Sequence, residues 1–266
     1  MDAVPCLFIE HVCLCLRHRD NLRESGKLPS LWGKVCSATI PKIHTLKILV
    51  NESKIKLYVA AHSTSLHRLL EDIDFVSNDV IELARMISAT PLDSVEPKFI
   101  TNFHIEPCHY EMKDFRYNWK EITLDKLERL IRFIRPTVEH IHPSSFDQES
   151  SNFWRITAGR EFYIYRKLLS MRLPVDSVSL VIEHVSDMAE VNEFFENSGP
   201  LYRVESDAIF LKPNIVDAMI DKFVPVDGGE FILRQPLNKK QLERLVVKCE
   251  MSKKKVTLRT SRLEYY

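Results

Sequence analysis

Glycine is scarce: six residues, Gly26, Gly33, Gly159, Gly199, Gly228 and Gly229, serve a chain of 266. A loop that cradles phosphate needs glycines so that backbone N–H groups can approach the anion, and neither GxGxxG nor GxxxxGK[ST] occurs. HExxH and GxSxG are missing too, which removes the helix-borne zinc protease and nucleophile-elbow hydrolase patterns. Six cysteines (Cys6, Cys13, Cys15, Cys36, Cys108, Cys249) form no CxxC pair, and a chain this long does not depend on disulfide staples. Nor is there an excess of either charge. Thirty-seven basic side chains balance 37 acidic ones, so no overall field draws the chain to nucleic acid or an anionic membrane. The apolar stretch that runs to Leu16 carries Asp2 where a secretory leader is basic, is interrupted by Glu10 and His11, and is too short to span a bilayer. We therefore expect an intracellular protein, cytoplasmic or nuclear, with no membrane or nucleic-acid partner and no cofactor.

What is present is ordinary globular material, 45% hydrophobic and 28% charged. Between residues 4 and 18, Val4, Phe8, Val12, Cys15 and Leu16 share one helical stripe, widened by Leu7, Ile9 and Leu14. A second short segment opens at Leu28-Pro29-Ser30 and carries Leu31, Trp32, Val35 and Cys36. So small a unit cannot bury all of its own apolar surface, and must pack on the rest of the chain or on a partner. Past Pro41 the period changes to two. Leu46, Ile48 and Val50, then Ile55, Leu57 and Val59, flank the turn Asn51-Glu52-Ser53 and predict a β-hairpin over about 43–60. Helical stretches are expected near 64–71 and 78–88.

Beyond these, helices are expected over 124–134, 161–171, 188–196, 215–223 and 239–247, the first ended by Pro136. Between them recurs a strand-like pattern, apolar-xx-apolar-x-(apolar). Its copies are Ile100-xx-Phe103-x-Ile105, Val138-xx-Ile141-x-Pro143, Val175-xx-Val178-x-Leu180 and Leu201-xx-Val204-x-Ser206, with Val256-x-Leu258 as a partial copy. The intervals of 38, 37 and 26 residues are irregular. Helix-then-strand units near 26 residues are what a leucine-rich-repeat horseshoe requires, since each unit buries its stripe only by stacking on the next. Cys108 even falls at the ladder position where such repeats favour Asn or Cys.

Val4-Pro5 at the head of the first helix, then Phe8, Val12, Leu16, Leu22, Leu28 or Leu31, and Trp32, resemble an F-box. With a hairpin and irregular repeats behind it, the chain is similar to the nematode F-box and F-box-like proteins, in which a short F-box precedes an F-box-associated or leucine-rich-repeat-like region. The fold class expected is thus α/β: an F-box-like helical unit over 1–40, a β-hairpin linker over 41–62, and a repeat-like substrate-binding domain over 63–266. The resemblance implies a non-catalytic substrate receptor of an SCF-type ubiquitin ligase. Pro5, Phe8, Ile9, Val12, Leu16 and Leu31 would dock a Skp-type adaptor of the cullin ligase complex, and the larger domain would hold an unknown protein substrate.

Read through the repeat, the residues between the apolar strand positions face outward. They give candidate partner-binding groups Asn102, His104, His140, His142, Ser177, Ser179, Arg203, Glu205, Lys255 and Thr257. His104 and His142 hold equivalent places in consecutive copies beside His140. Three imidazoles together would bind a metal, sense pH or meet an acidic partner; solvated polar decoration of a sheet is the simpler account. His11, Cys13, Cys15 and His18 read more simply as part of the core of an apolar helix than as a zinc set, because small buried cysteines are common there and structural zinc draws its ligands from separate elements. Cys108-His109 is a sequence neighbour pair and not an assembled nucleophile and base. The acidic cluster Glu71, Asp72 and Asp74 and the run Lys253-Lys254-Lys255 read as solvated surface. We assign no catalytic and no metal residue. A leucine-rich-repeat-like scaffold without a ubiquitin role, and a metal-dependent hydrolase built on the three histidines, are the alternatives.

Overall fold

The computed structural model describes residues 4–16, 18–64, 84, 86–108, 117–134, 142–158, 163–182, 188–208 and 210–261. These hold eight α-helices and nine strands, a mixed α/β chain. No helix among them is long and apolar enough to cross a membrane. The chain divides into two compact units, one of residues 1–49, 57–104 and 109–136, the other of 50–56, 105–108 and 137–266. The division falls elsewhere than the expected boundaries at 40 and 62. The N-terminal helices belong to the same unit as most of the hairpin.

In the first unit, α1 (Cys6–Cys15), α2 (Arg19–Gly26) and α3 (Leu31–Thr39) precede β1 (His44–Asn51) and β2 (Lys56–Ser63). Pro5 cannot donate a backbone hydrogen bond, so it sits ahead of α1 where its carbonyl accepts from Phe8 and Ile9. Ser30 caps α3 by accepting from the Gly33 N–H at 3.3 Å. Gly33 itself is required: a Cβ there would lie 1.9 Å from the Leu28 carbonyl oxygen. The three helices close a core of Ile9, Cys13, Leu22, Cys36 and Ile43, with Trp32 packed against it. Strands β3 (Ile100–Pro107) and β4 (Lys120–Ile122) complete the order β4-β2-β1-β3, β2 and β4 running antiparallel with Leu57 opposite Ile122. Because β1 is internal, its residues are buried on both faces rather than alternately. The amphipathic α4 (Leu124–Ile134) follows and buries Leu127 and Ile131. Of the helices expected over 64–71 and 78–88, most residues, the acidic cluster among them, lie outside the described ones.

The second unit is one motif repeated. Strand β5 (Phe153–Ala158) is followed by α5 (Tyr163–Ser170), β6 (Ser177–Ile182), α6 (Met188–Asn197) and β7 (Arg203–Ser206). Then come α7 (Pro213–Lys222), β8 (Glu230–Leu233), α8 (Lys239–Ser252) and β9 (Thr257–Thr260). The strands pair in parallel in chain order, with Trp154, Val178, Val204, Phe231 and Leu258 in one register. Those positions recur at intervals of 24, 26, 27 and 27 residues. The first four are fully buried under the helices: Phe194 meets the Trp154 ring edge-on at 5.2 Å, and Phe223 meets Phe231 at 5.3 Å. Consecutive helices pack side by side. Pro213 starts α7 at the position where a missing N–H costs nothing, and Asn238 with Gln241 forms a capping box that starts α8.

Strand β4 of the first unit lies outside the expected pattern, and two strands of the second unit differ from expectation. Pro143 lies in no strand, and Val138 and Ile141 fall outside the described residues; the strand that precedes β6 is Phe153–Ala158. Pro has no N–H to give to a ladder, whereas Trp154-x-Ile156 supplies two inward apolar groups and a full set of donors. Strand β8 was not expected at all, since four residues with only Phe231-x-Leu233 facing inward carry little pattern. With both strands in place the spacing becomes regular. Two helices also run differently: α8 extends five residues past the expected end at Val247, and α7 starts two residues before Ile215.

The register predicts graded costs. Phe231→Ala, deep in the column, lowers unfolding free energy by about 3–5 kcal/mol in urea titration, as large-to-small core changes do. Leu258→Ala, at a strand where the side chain keeps 37% of its exposure, costs roughly 1 kcal/mol or less.

Candidate interaction surfaces

Alternation along parallel strands fixes a second face in the second unit. When Trp154, Val178, Val204 and Phe231 point to the helices, Phe153, Ser177, Arg203, Glu230 and Thr257 form a row on the other side. A neighbouring row holds Arg155, Ser179, Glu205, Ile232 and Arg259. Arg203 lies at the centre. It pairs through Nε with Glu230 at 3.0 Å and through Nη2 with Glu205 at 3.1 Å, and donates from Nη1 to Gln148 Oε1 at 2.9 Å. Two carboxylates, both partly shielded from water, and the exposed Gln148 side chain surround the guanidinium. Arg234 and Asp207 make a further pair at 2.9 Å. The Arg155 guanidinium stands over the Phe153 ring at 6.0 Å.

Residues 142–150 are tied to the repeats at Tyr202, Arg203 and Asp227. His142 Nδ1 is 3.1 Å from the Tyr202 hydroxyl, Phe146 donates to the Asp227 carbonyl at 2.7 Å, and the Asp227 N–H donates to the Ser144 carbonyl. The Asp227 carboxylate accepts from the Lys255 N–H at 2.9 Å and from Lys254 Nζ at 3.0 Å. These bonds hold its pKa below the ordinary value of 3.8, the Lys255 backbone N–H contributing most.

Several candidate residues take other places. Asn102 on β3 is 0% exposed and accepts from Thr45 Oγ1 at 3.0 Å, and His104, also buried, has Nε2 3.5 Å from Asn102 Nδ2. Strand β3 is covered on both faces, so these two are interior groups and not outward decoration. His142 precedes β5 in no strand, and His140 lies outside the described residues, so no pairing of equivalent repeat positions links His104 to His142. Among the described residues no group of three His, Cys, Asp or Glu side chains is arranged to hold a metal ion. Ser177 and Ser179 do face away from the helices but are buried. Arg203, Glu205 and Thr257 line the face, and exposed Lys255 contributes its backbone N–H to Asp227. Arg155, Glu230, Ile232 and Arg259 belong to it as well. Locating β5 and β8 was the missing step, after which alternation alone places the first three.

The second surface is on the three-helix segment. Its core is closed, yet Leu7, Phe8 and Leu28 stay 77%, 56% and 51% exposed. Pro5 is exposed, and Val12, Leu16 and Leu31 are half-buried. Ile9 is a core residue, out of reach of any docking partner. His11 and Cys15 point to solvent while Cys13 points inward, so the four do not converge.

No family model matches the chain, and comparison with curated proteins and with solved structures gives no match.

Two measurements check this geometry. A double-mutant cycle on Arg203→Ala and Glu230→Ala returns a coupling of about 1 kcal/mol or more, against a few tenths for separated surface sites. The pH dependence of Asp227 has a fixed sign: a depressed folded-state pKa adds stability above the unfolded value, and that stability is lost as pH falls through the folded one. Asp227→Asn is therefore less stable than wild type at about pH 6, and the gap closes below the ordinary carboxylate range.

Proposed function

We propose that this chain is a non-catalytic protein-interaction adaptor, the substrate-receptor subunit of an SCF-type ubiquitin ligase acting inside the cell. The observation that carries the reading is the exposure of Leu7, Phe8 and Leu28 on three short helices whose core is already filled. Large apolar side chains left in water beside a complete core are surface for another protein to cover. Under this reading the F-box-like unit meets a Skp-type adaptor through Pro5 and Phe8, flanked by Leu7, Val12, Leu16 and Leu31, while Ile9 holds α1 in place. The repeated strand–helix unit, with intervals of 24–27 residues, is what a leucine-rich-repeat-like domain requires, and the face around Arg203 holds the protein substrate. Ubiquitin transfer belongs to the partner enzymes, so no residue here receives a catalytic role.

A second reading, a binding scaffold with no ubiquitin role, is favoured by how the helices are tied down. Glu10 pairs with Lys98 at 2.9 Å, and Arg19 donates to Thr101. Such ties suit helices that cap the strands of their own unit. Co-purification of the full chain with a Skp-type adaptor separates the readings. The adaptor reading expects retention by wild type and at least a tenfold loss with Pro5→Ala plus Phe8→Ala, at unchanged thermal unfolding. No retention, under conditions where a standard F-box protein keeps its adaptor, removes the ligase reading and leaves the scaffold.

A further inference from the structure

Inside the core of the three-helix segment, the Sγ atoms of Cys13 on α1 and Cys36 on α3 are 3.3 Å apart, and both thiols are buried. They are 23 residues apart in the chain, and both are reduced. The adaptor reading makes no use of this pair. We propose that Cys13 and Cys36 form a redox staple, closed by a low-molecular-weight disulfide, that locks α1 onto α3.

The chemistry balances as thiol–disulfide exchange. One cysteine thiolate attacks a sulfur of glutathione disulfide, forming a mixed disulfide and releasing one glutathione thiolate. The second cysteine then attacks the protein-bound sulfur, forming the Cys13–Cys36 bond and releasing the second glutathione. Two protein thiols lose two electrons and two protons in all, and the disulfide is reduced to two glutathione thiols.

Access is set by α1. Burial and the adjacent Cys36 sulfur push the Cys13 thiol up to about 12, so in the closed helix it stays protonated and inert. Helix α1 is nonetheless held weakly at its ends. Pro5 supplies no side-chain cap, no acid stands in the first turn and no base in the last, and only Ile9 and Cys13 of its ten residues are fully buried. Opening of α1 therefore exposes Cys13 and uncovers Cys36 to a small disulfide. Once the bond has formed, it opposes the opening that allowed it. The same contact that leaves α1 free to lift when reduced prevents that motion when oxidised.

The experiment uses the full chain in native buffer, equilibrated over a series of glutathione disulfide to glutathione ratios. A non-reducing peptide map joins the Cys13 peptide to the Cys36 peptide with the loss of two hydrogens, whatever glutathione Cys6 and Cys15 carry. Hydrogen exchange of the α1 amides slows by about tenfold or more, and dithiothreitol restores it. Cys36→Ser forms no such link, and its α1 exchange does not respond to oxidation; should that variant fold poorly, the wild-type series decides alone. The proposal is overturned if Cys13 and Cys36 remain thiols after exposed Cys6 and Cys15 have become mixed disulfides. It is also overturned if the link forms only in denaturant, or if it forms and leaves α1 exchange unchanged.

Discussion

The second unit depends on one column of side chains held in phase. Strands β7, β8 and β9 have four residues each, too few to persist alone, and they exist because a neighbour on the same register completes the ladder. Trp154, Val178, Val204 and Phe231 stack at that register beneath the helices, so each strand–helix step buries the apolar stripe of the one before. The near-constant spacing of 24–27 residues follows from this. A strand paired one residue out of register would turn its polar side toward the core.

The same constraint writes the opposite face. Period two leaves no choice once the column is fixed: Arg203 must emerge one residue before Val204, beside Glu230, which precedes Phe231. Two carboxylates and one amide then converge on a single guanidinium, which sets fixed counter-charges beside the cation. Such a face is structured before anything binds. A ligand has to compete with Glu205 and Glu230 for Arg203, or use Arg155, Ile232 and Arg259 around it.

The inward pattern was legible wherever apolar residues are dense. The apolar face from Leu124 to Ile134, with Pro136 behind it, gave α4 its bounds, and Phe103-x-Ile105 and Val178-x-Leu180 marked β3 and β6. It failed at β8, where two apolar residues in four resemble a loop, and at β5, where Val138 and Ile141 offered a better match to the pattern than Trp154 and Ile156. The site was read less well for a different reason. Sequence alternation says which residues leave the helix-covered face, but not whether that side is open, and Asn102 and His104 are covered there as fully as on the other. Burial of this kind is set by what packs over a strand, which the strand's own residues do not encode. Cys13 and Cys36 were visible only as small buried thiols; their meeting is a product of how α1 crosses α3.

The two units present surfaces of opposite physical character. On α1 and the turn before α3, Leu7, Phe8 and Leu28 are apolar groups whose burial yields affinity with little dependence on salt. Around Arg203, paired charges would discriminate among any partners instead, because a mismatched charge placed there costs more than a matched one gains. An adaptor asks for this division, a lasting hold on one constant partner and selective recognition of another. A scaffold whose N-terminal helices served only as a cap would have no reason to leave Leu7 and Phe8 in water, since a cap's function is to end the apolar surface. The ion pair of Glu10 with Lys98 shows that α1 can face other parts of its unit with a polar side chain, which makes the apolar side left outside the harder feature to explain without a partner.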